Sequence, residues 1–255
     1  MSSALETILK RDRVVVLLGV VVIAGLGWAY LVSMAGMEEM MAPSLAGWTA
    51  ADFTMMFTMW AVMMVAMMLP SAAPLLLIHA RVARAGRERG ESVAPTGVFA
   101  TGYLLAWTAF SLAATLEQWA LERAALLSPK MAAATPYLGA AVLIGAGVYQ
   151  LTPLKRICLS HCRSPIDFVM HHWRRGFFGA LRMGLEHGLY CIGCCWFLMG
   201  LLFVGGVMNL AWIAAISIFV LLEKAAPRGE MWAYAAGVLL LVAGVWTAAA
   251  AVLPV

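Results

Sequence analysis

Four side chains that bind soft metals or exchange electrons lie within nine residues of an otherwise apolar stretch. The stretch LEHGLYCIGCCWFLMG contains His187, Cys191, Cys194 and Cys195. On a helix, which advances about 100° per residue, Cys191 lies about 40° and Cys194 about 20° from His187. Met183, one turn earlier, shares this face, and Cys195 lies at its edge, at about 80°. The spacing therefore predicts thiol, thioether and imidazole donors on one side of a helix.

These donor types indicate a soft metal ion or a redox site. Thiolate, thioether and imidazole groups favour Cu(I), accommodate Zn²⁺ and do not suit Mg²⁺ or Ca²⁺. Cys191 and Cys194 also form a Cys-x-x-Cys pair, which can ligate one ion or close into a disulfide. Cysteine is also a small apolar residue, so the same thiols can simply pack against neighbouring helices. Three of the chain's five cysteines on one arc favour ligation or redox chemistry.

A second group of thiols lies in the segment YQLTPLKRICLSHCRSP, which carries Cys158, His161 and Cys162. On a helix, Cys158 and Cys162 are four residues apart and point to the same side. We predict that this segment lies just inside the membrane, where the cytoplasm keeps thiols reduced, and that it releases a soft ion to a cytoplasmic acceptor. The alternative is a pair of interfacial thiols with no role.

The chain has 18 methionines, and one cluster lies in the segment SMAGMEEMMAP. Its members are Met34, Met37, Met40 and Met41. Thioethers need no deprotonation and resist oxidation better than thiols do, so this segment suits Cu(I) capture outside the cell. The alternative is a juxtamembrane turn that uses methionine as flexible apolar filler.

A second methionine cluster lies in the stretch MMFTMWAVMMVAMMLPSAAP. On a helix, Met56, Met63 and Met67 fall within about 40° of one another. Pro70 and Pro74 cannot donate backbone hydrogen bonds, so we expect a kink in this helix. Broken helices near the membrane centre are where transporters bind their substrates, which favours a metal path along this face. Adaptable methionine packing around a kink is the alternative interpretation.

The composition indicates an all-α, polytopic membrane protein. The chain is 64% hydrophobic and only 12% charged, whereas a soluble domain is about half apolar and a quarter charged. The first apolar stretch lacks a small-residue cleavage site, so we interpret it as a retained helix and not a signal peptide. We expect a single integral membrane domain over residues 1–255. Seven apolar stretches are candidate spans, at 14–33, 53–79, 97–119, 135–153, 177–204, 208–222 and 231–252.

The basic residues predict the orientation of this bundle. Fifteen of the 17 Lys and Arg residues fall at one set of span ends, and only Arg123 and Lys130 fall at the other. The positive-inside rule then places the N-terminus in the cytoplasm and the C-terminus in the periplasm. The net charge of +4 is thus a topology signal, and it does not indicate a nucleic-acid partner.

Four segments together resemble a bacterial family of predicted metal-binding integral membrane proteins of unknown function. They are MWAVMMVAMMLPSAAP, YQLTPLKRICLSHCRSP, GLYCIGCCW and FVGGVMNLAWIAAISIFVLLEK. The resemblance implies a metal-binding protein of the bacterial inner membrane. The outer methionine segment lies outside the matching stretches.

The sequence favours a Cu(I)-binding membrane protein that transports or delivers copper through its Met and Cys/His sites. Its partners would be the bilayer, the metal ion, and a copper chaperone or copper-enzyme subunit. One alternative is a non-catalytic subunit or assembly factor for a copper or haem enzyme. Another is a membrane thiol oxidoreductase that uses the two Cys pairs. Nucleotide-binding, serine-hydrolase and zinc-protease motifs are missing from the sequence, so enzymatic activity is not favoured.

Overall fold

The chain forms a helix bundle in a computed structural model that describes residues 2–35, 48–128 and 130–252. Within these ranges the regular elements are ten helices, and a single isolated bridge joins Leu127 to Ala133. The helices are α1 Ser2–Ala35, α2 Ala50–Glu88, α3 Thr96–Arg123, α4 Pro136–Leu151, α5 Pro153–Arg163, α6 Pro165–His172, α7 Gly176–Gly200, α8 Leu202–Gly205, α9 Leu210–Ala225 and α10 Gly229–Val252.

Among the described residues, five helical segments are long and apolar enough to cross a membrane. They are Arg13–Ala35, Ala50–Glu88, Thr96–Arg123, Gly176–Gly205 and Gly229–Val252. Helices α4 and α5 add a sixth only if they count as one span, and they meet at an angle of 66°. The prediction of an all-α protein with several membrane-length helices is confirmed for the described residues.

Helix α2 is longer than its predicted apolar stretch of 53–79. Its first turn is closed by a capping box, because the Asp52 backbone N–H donates to Thr49 Oγ1 at 3.3 Å and the Asp52 carboxylate accepts from the Thr49 N–H at 2.8 Å. The helix continues through Pro70 and Pro74, so the expected kink does not end helical structure. One helix thus carries methionines from one end of the bundle to the other.

Glycines allow α3 and α7 to pack with their backbones in close contact. A β-carbon at Gly184 would lie 1.9 Å from the Phe99 carbonyl oxygen, and one at Gly102 would lie 2.1 Å from the Leu181 carbonyl oxygen. Small residues at such contacts are the usual basis of helix association in membranes. The close approach sets Tyr103 of α3 against the cysteine-bearing turns of α7.

The turn between α4 and α5 directs α5 back against α7. Pro153 begins α5, and the Lys155 backbone N–H donates to the capping hydroxyl of Thr152 at 3.2 Å. The Cys158 sulfur then lies 2.8 Å from the position that a β-carbon at Gly193 would occupy. The absence of a side chain at Gly193 therefore lets α5 approach the cysteine face of α7.

Candidate metal centre

The three cysteines of α7 are buried in the middle of the bundle. Cys191, Cys194 and Cys195 are each at most 1% exposed. The Cys194 and Cys195 sulfurs lie 3.1 and 2.8 Å from the Cys191 carbonyl oxygen, one turn earlier on the same helix. The two thiols face the interior of the bundle, where they meet α5 and α2.

Two pairs of sulfur atoms from different helices meet at this site. Cys194 Sγ lies 3.8 Å from Cys162 Sγ of α5, and Cys195 Sγ lies 3.9 Å from Met68 Sδ of α2. Two metal–sulfur bonds of about 2.3 Å separate their sulfurs by about 3.8 Å at a tetrahedral angle and by about 4.6 Å when linear. Each pair is therefore spaced to share one ion with little movement.

The described residues contain no ready-made metal site of the common kind, built from three or more acidic, His or Cys side chains. The close contacts are instead two-sulfur pairs, one of which includes a thioether. Such an arrangement suits an ion that accepts few soft ligands, as Cu(I) does, better than a four-coordinate structural zinc site.

Cys191 is contacted by two polar groups from other helices. Lys224 Nζ of α9 lies 2.8 Å from Cys191 Sγ and also donates to Ser71 Oγ at 3.2 Å. The Tyr103 hydroxyl lies 3.1 Å from the same sulfur and donates to the Met68 carbonyl at 3.0 Å. A cation and a hydroxyl therefore surround this thiol.

A buried ion pair ties α5 to α9 beside the cysteines. Lys155 Nζ donates to both oxygens of the Glu223 carboxylate, at 3.0 and 2.8 Å, and both side chains are buried. Gln150 Nε2 donates to the same carboxylate at 2.9 Å, and the Arg163 guanidinium donates to the backbone carbonyls of Glu223 and Ala226. This network fixes Cys162 and Lys224 relative to each other.

His187 and Met183 share the predicted face but make other contacts. The His187 ring stacks on Tyr103 with centroids 5.7 Å apart, and it meets the edge of Phe168 at 5.2 Å. In the part of the chain that the structure describes, its buried Nδ1 atom has no hydrogen-bond partner, so it remains available to a ligand. The Met183 thioether accepts the Arg174 backbone N–H at 3.1 Å and is therefore used outside the cysteine cluster.

The second predicted thiol group is divided by the structure. Cys162 joins the α7 cysteines through Cys194, whereas Cys158 packs against Gly193. His161 stacks on Tyr190 at 4.3 Å, and its Nδ1 lies 2.8 Å from the Ile157 carbonyl of its own helix. Two groups that the sequence placed in series thus meet in one cluster through Cys162.

Buried methionines continue from this cluster along α2. The predicted residues Met56, Met63 and Met67 are all buried, and so are others on the same helix, namely Met59, Met64 and Met68. The Met56 sulfur contacts the Gln118 amide at 3.7 Å, near the opposite end of the helix. Met34 of α1 is buried as well, while Met37, Met40 and Met41 lie outside the described residues.

Comparison with known families gives a match that covers most of the chain. A family model described as PpoB2, copper chaperone, matches residues 57–247. The chain belongs to this family. No curated protein and no solved structure gives a significant match. The copper chaperone match covers all five cysteines, His187 and Lys224, and the resemblance to a metal-binding membrane family is confirmed in this form. The outer methionine segment and Met56 precede the part that matches.

Sequence reasoning missed several residues that the structure places at the thiol cluster of this chain. Lys224 was interpreted only as a topology charge, and Tyr103 and Ser71 were not singled out. Met68 was not among the residues predicted for the α2 methionine face. The available signals were a lysine at the end of a short apolar helix and a tyrosine inside an apolar stretch, both of which need a polar partner when buried.

Proposed function

We propose that this chain is a multi-pass copper chaperone of the bacterial inner membrane, which binds Cu(I) at its thiol cluster and transports or delivers it. The proposed ligands are the sulfurs of Cys162, Cys191, Cys194, Cys195 and Met68, with His187 as a further donor. The observation that carries the proposal is the 3.8 Å contact between Cys194 and Cys162, which brings thiols from two helices to ligand spacing. Membership of a copper chaperone family supports the choice of metal.

The geometry favours exchange over storage. Pairs of sulfurs with mixed thiolate and thioether character hold Cu(I) in low coordination, so an incoming ligand can take the ion without first opening a closed cage. Zn²⁺ prefers four ligands in tetrahedral geometry, so it fits this arrangement less well. Binding requires thiolates, and the Lys224 ammonium beside Cys191 supplies positive charge that offsets them.

The α2 methionines provide a path toward the other end of the bundle. Met56 and Met68 are twelve residues apart, which is about 18 Å along a helix, and Met59, Met63 and Met67 occupy the turns between them. In this scheme Met34, Met37, Met40 and Met41 capture the ion at the outer surface. Cys158 and Cys162, with His161, release it to a cytoplasmic acceptor or partner subunit.

The membrane orientation in this proposal follows the basic residues. The N-terminus lies in the cytoplasm, and seven crossings put the C-terminus in the periplasm. The sixth crossing in chain order is α9, whose 16 residues extend about 24 Å, less than the hydrocarbon thickness of about 30 Å. Fusing reporters of cytoplasmic and periplasmic location to the loops on either side of α9 tests this directly.

The deciding experiment is elemental analysis of protein purified in detergent under reducing conditions. We expect copper bound to the wild-type chain and clearly less copper per chain in the Cys191→Ala/Cys194→Ala/Cys195→Ala variant, which lacks the central thiols of the cluster. Cys158→Ala is the matched control, because its sulfur packs against Gly193, and we expect it to retain copper while slowing release.

Two outcomes would contradict the proposal. Copper content that is unchanged in the triple variant would remove its central site. A stable disulfide between Cys162 and Cys194 in native membranes, with no copper in the purified protein, would instead favour the thiol oxidoreductase hypothesis.

A further inference from the structure

A second cluster of soft donors surrounds the side-chain amide of Gln118, near the opposite end of the bundle from the cysteines. Gln118 of α3 is fully buried. Its Oε1 accepts from the Trp60 indole N–H at 2.7 Å, and its Nε2 donates to a Glu122 carboxylate oxygen at 2.8 Å. An indole N–H can only donate and an ionised carboxylate can only accept, so these two contacts fix which way the amide points.

Two methionine sulfurs converge on the same amide nitrogen. Gln118 Nε2 lies 3.4 Å from Met131 Sδ and 3.7 Å from Met56 Sδ. An amide nitrogen has two hydrogens, yet three acceptors face it here. At any time, one of these acceptors therefore receives no hydrogen bond from the amide. Two thioethers and a carboxylate that converge on one point are a donor set for a soft cation, and the amide occupies that point in this structure.

The loop between α3 and α4 is shaped to bring Met131 into this cluster. Met131 has a φ of 53°, in the left-handed region that non-glycine residues rarely adopt, and its side chain is nevertheless buried. Its backbone is held on both sides, because its N–H donates to the Ser128 carbonyl at 2.8 Å and its carbonyl accepts from the Val207 N–H at 3.4 Å. Such strain is typically kept where a side chain has a role.

We propose that Met56, Met131 and Glu122 form a second Cu(I) site, which the Gln118 amide fills until the ion displaces it. The identity of the ion rests on the proposed function. Two neutral thioethers and one carboxylate give a Cu(I) complex with no net charge, which suits a buried position. Glu122 is half-buried and also accepts from the Trp48 indole at 2.7 Å, so the site lies between the bundle surface and the α2 methionines.

The test counts Cu(I) bound to the full chain in detergent, with a reductant present and a colorimetric Cu(I) chelator as competitor. We expect about two ions per wild-type chain and about one in Met56→Leu/Met131→Leu, since leucine keeps the volume but removes the sulfurs. Met208→Leu is the matched control, because it is another buried methionine near this end of the bundle that is not among the Gln118 contacts described above. It should bind as the wild type does.

The triple cysteine variant separates this site from the thiol cluster. In Cys191→Ala/Cys194→Ala/Cys195→Ala, the remaining ion should show sulfur and oxygen neighbours by X-ray absorption. Adding Cu(I) to this variant should change the tryptophan fluorescence, because the Trp60 indole loses the Gln118 amide as its hydrogen-bond partner. Trp60→Phe should abolish that change.

The possible results test the second site separately from the thiol cluster. If the triple cysteine variant binds no copper while the wild type does, the second site is wrong and the proposed function stands. If the folded Met56→Leu/Met131→Leu variant keeps both ions, the second site is equally wrong. A wild-type chain without copper overturns both. If the double methionine variant does not fold, the triple cysteine variant alone decides.

Discussion

The two donor clusters of this bundle carry opposite fixed charges. At the cysteine cluster the Lys224 ammonium lies 2.8 Å from the Cys191 sulfur, whereas at the methionine cluster the Glu122 carboxylate lies 2.8 Å from the amide that two thioethers face. Two thiolates with Cu(I) carry one negative charge, and two thioethers with Cu(I) carry one positive charge. Each cluster therefore contains the fixed charge that would make its proposed copper complex neutral, which matters because a buried net charge is costly.

The clusters also differ in how they are held. The cysteine cluster draws residues from α2, α3, α5, α7 and α9, and the buried Lys155–Glu223 pair connects two of these helices. The methionine cluster is built from α2, α3 and one loop, with Met131 held by backbone hydrogen bonds. Variants that affect one cluster and spare the other therefore test whether the two act as separate sites.

The largest effect should come from breaking the ion pair that supports only the cysteine cluster. Lys155→Met leaves the buried Glu223 carboxylate without its charged partner, which we expect to cost about 3–5 kcal/mol of unfolding free energy. Copper retention at the cysteine cluster should fall with it, because Cys162 loses its fixed position. Denaturation of the detergent-solubilised protein measures the stability. Arg156→Met, at the exposed neighbouring position, is the control and should change neither stability nor copper retention by much. Equal losses of stability in both variants would argue against a specific role for the ion pair.

The second-largest effect should come from removing the fixed positive charge at the cysteine cluster alone. Lys224→Met should weaken Cu(I) binding at the cysteine cluster about 100-fold, because the dithiolate complex then keeps an uncompensated charge. The methionine cluster should bind as before. Chelator competition measures both affinities. Lys224→Arg retains the charge and should recover much of the binding, and unchanged affinity in Lys224→Met would show that the ammonium does not offset the thiolates.

A third variant alters the helix contact beneath the cysteine cluster. In Gly184→Ala the new methyl group would meet the Phe99 carbonyl, so α3 and α7 must separate, at an expected cost of about 1–3 kcal/mol in stability. Gly19→Ala adds the same methyl group where no heavy atom lies within 4 Å, and it should be neutral. Thermal unfolding in detergent compares the two. Equal stability in both would mean that the close α3–α7 packing is not required.

The sequence was sufficient to predict the helical architecture and that Cys191 and Cys194 lie on the same helix. Long apolar stretches identify membrane helices, and the spacing of Cys191 and Cys194 places them on one face because a helix has a fixed period. The structure has helices of membrane length and buries both cysteines on α7. Met56, Met63 and Met67 were expected to share one helix face for the same reason, and the structure buries all three.

Contacts between distant segments could not be predicted in the same way. Cys162 meets Cys194 only because the chain turns by 66° at the start of α5 and then packs on Gly193. Lys224 looked like a topology signal because its sequence neighbourhood does not reveal the sulfur beside it. Met131 lies in a loop with an unusual backbone angle, and one sequence contains no periodic pattern that marks such a residue.

The smallest expected effect comes from a single hydroxyl at the cysteine cluster. Tyr103→Phe removes the contacts to Cys191 Sγ and to the Met68 carbonyl while keeping the ring that stacks on His187. One such hydrogen bond contributes about 1 kcal/mol, so Cu(I) affinity at this cluster should change about fivefold. Chelator competition can resolve that change if the methionine cluster has first been removed with Met56→Leu/Met131→Leu. Tyr137→Phe, in which the exposed hydroxyl donates to the Ala251 carbonyl, is the matched control and should leave the affinity unchanged. A loss in Tyr103→Phe as large as that in Lys224→Met would mean that the hydroxyl, and not the ammonium, is the principal polar partner of Cys191.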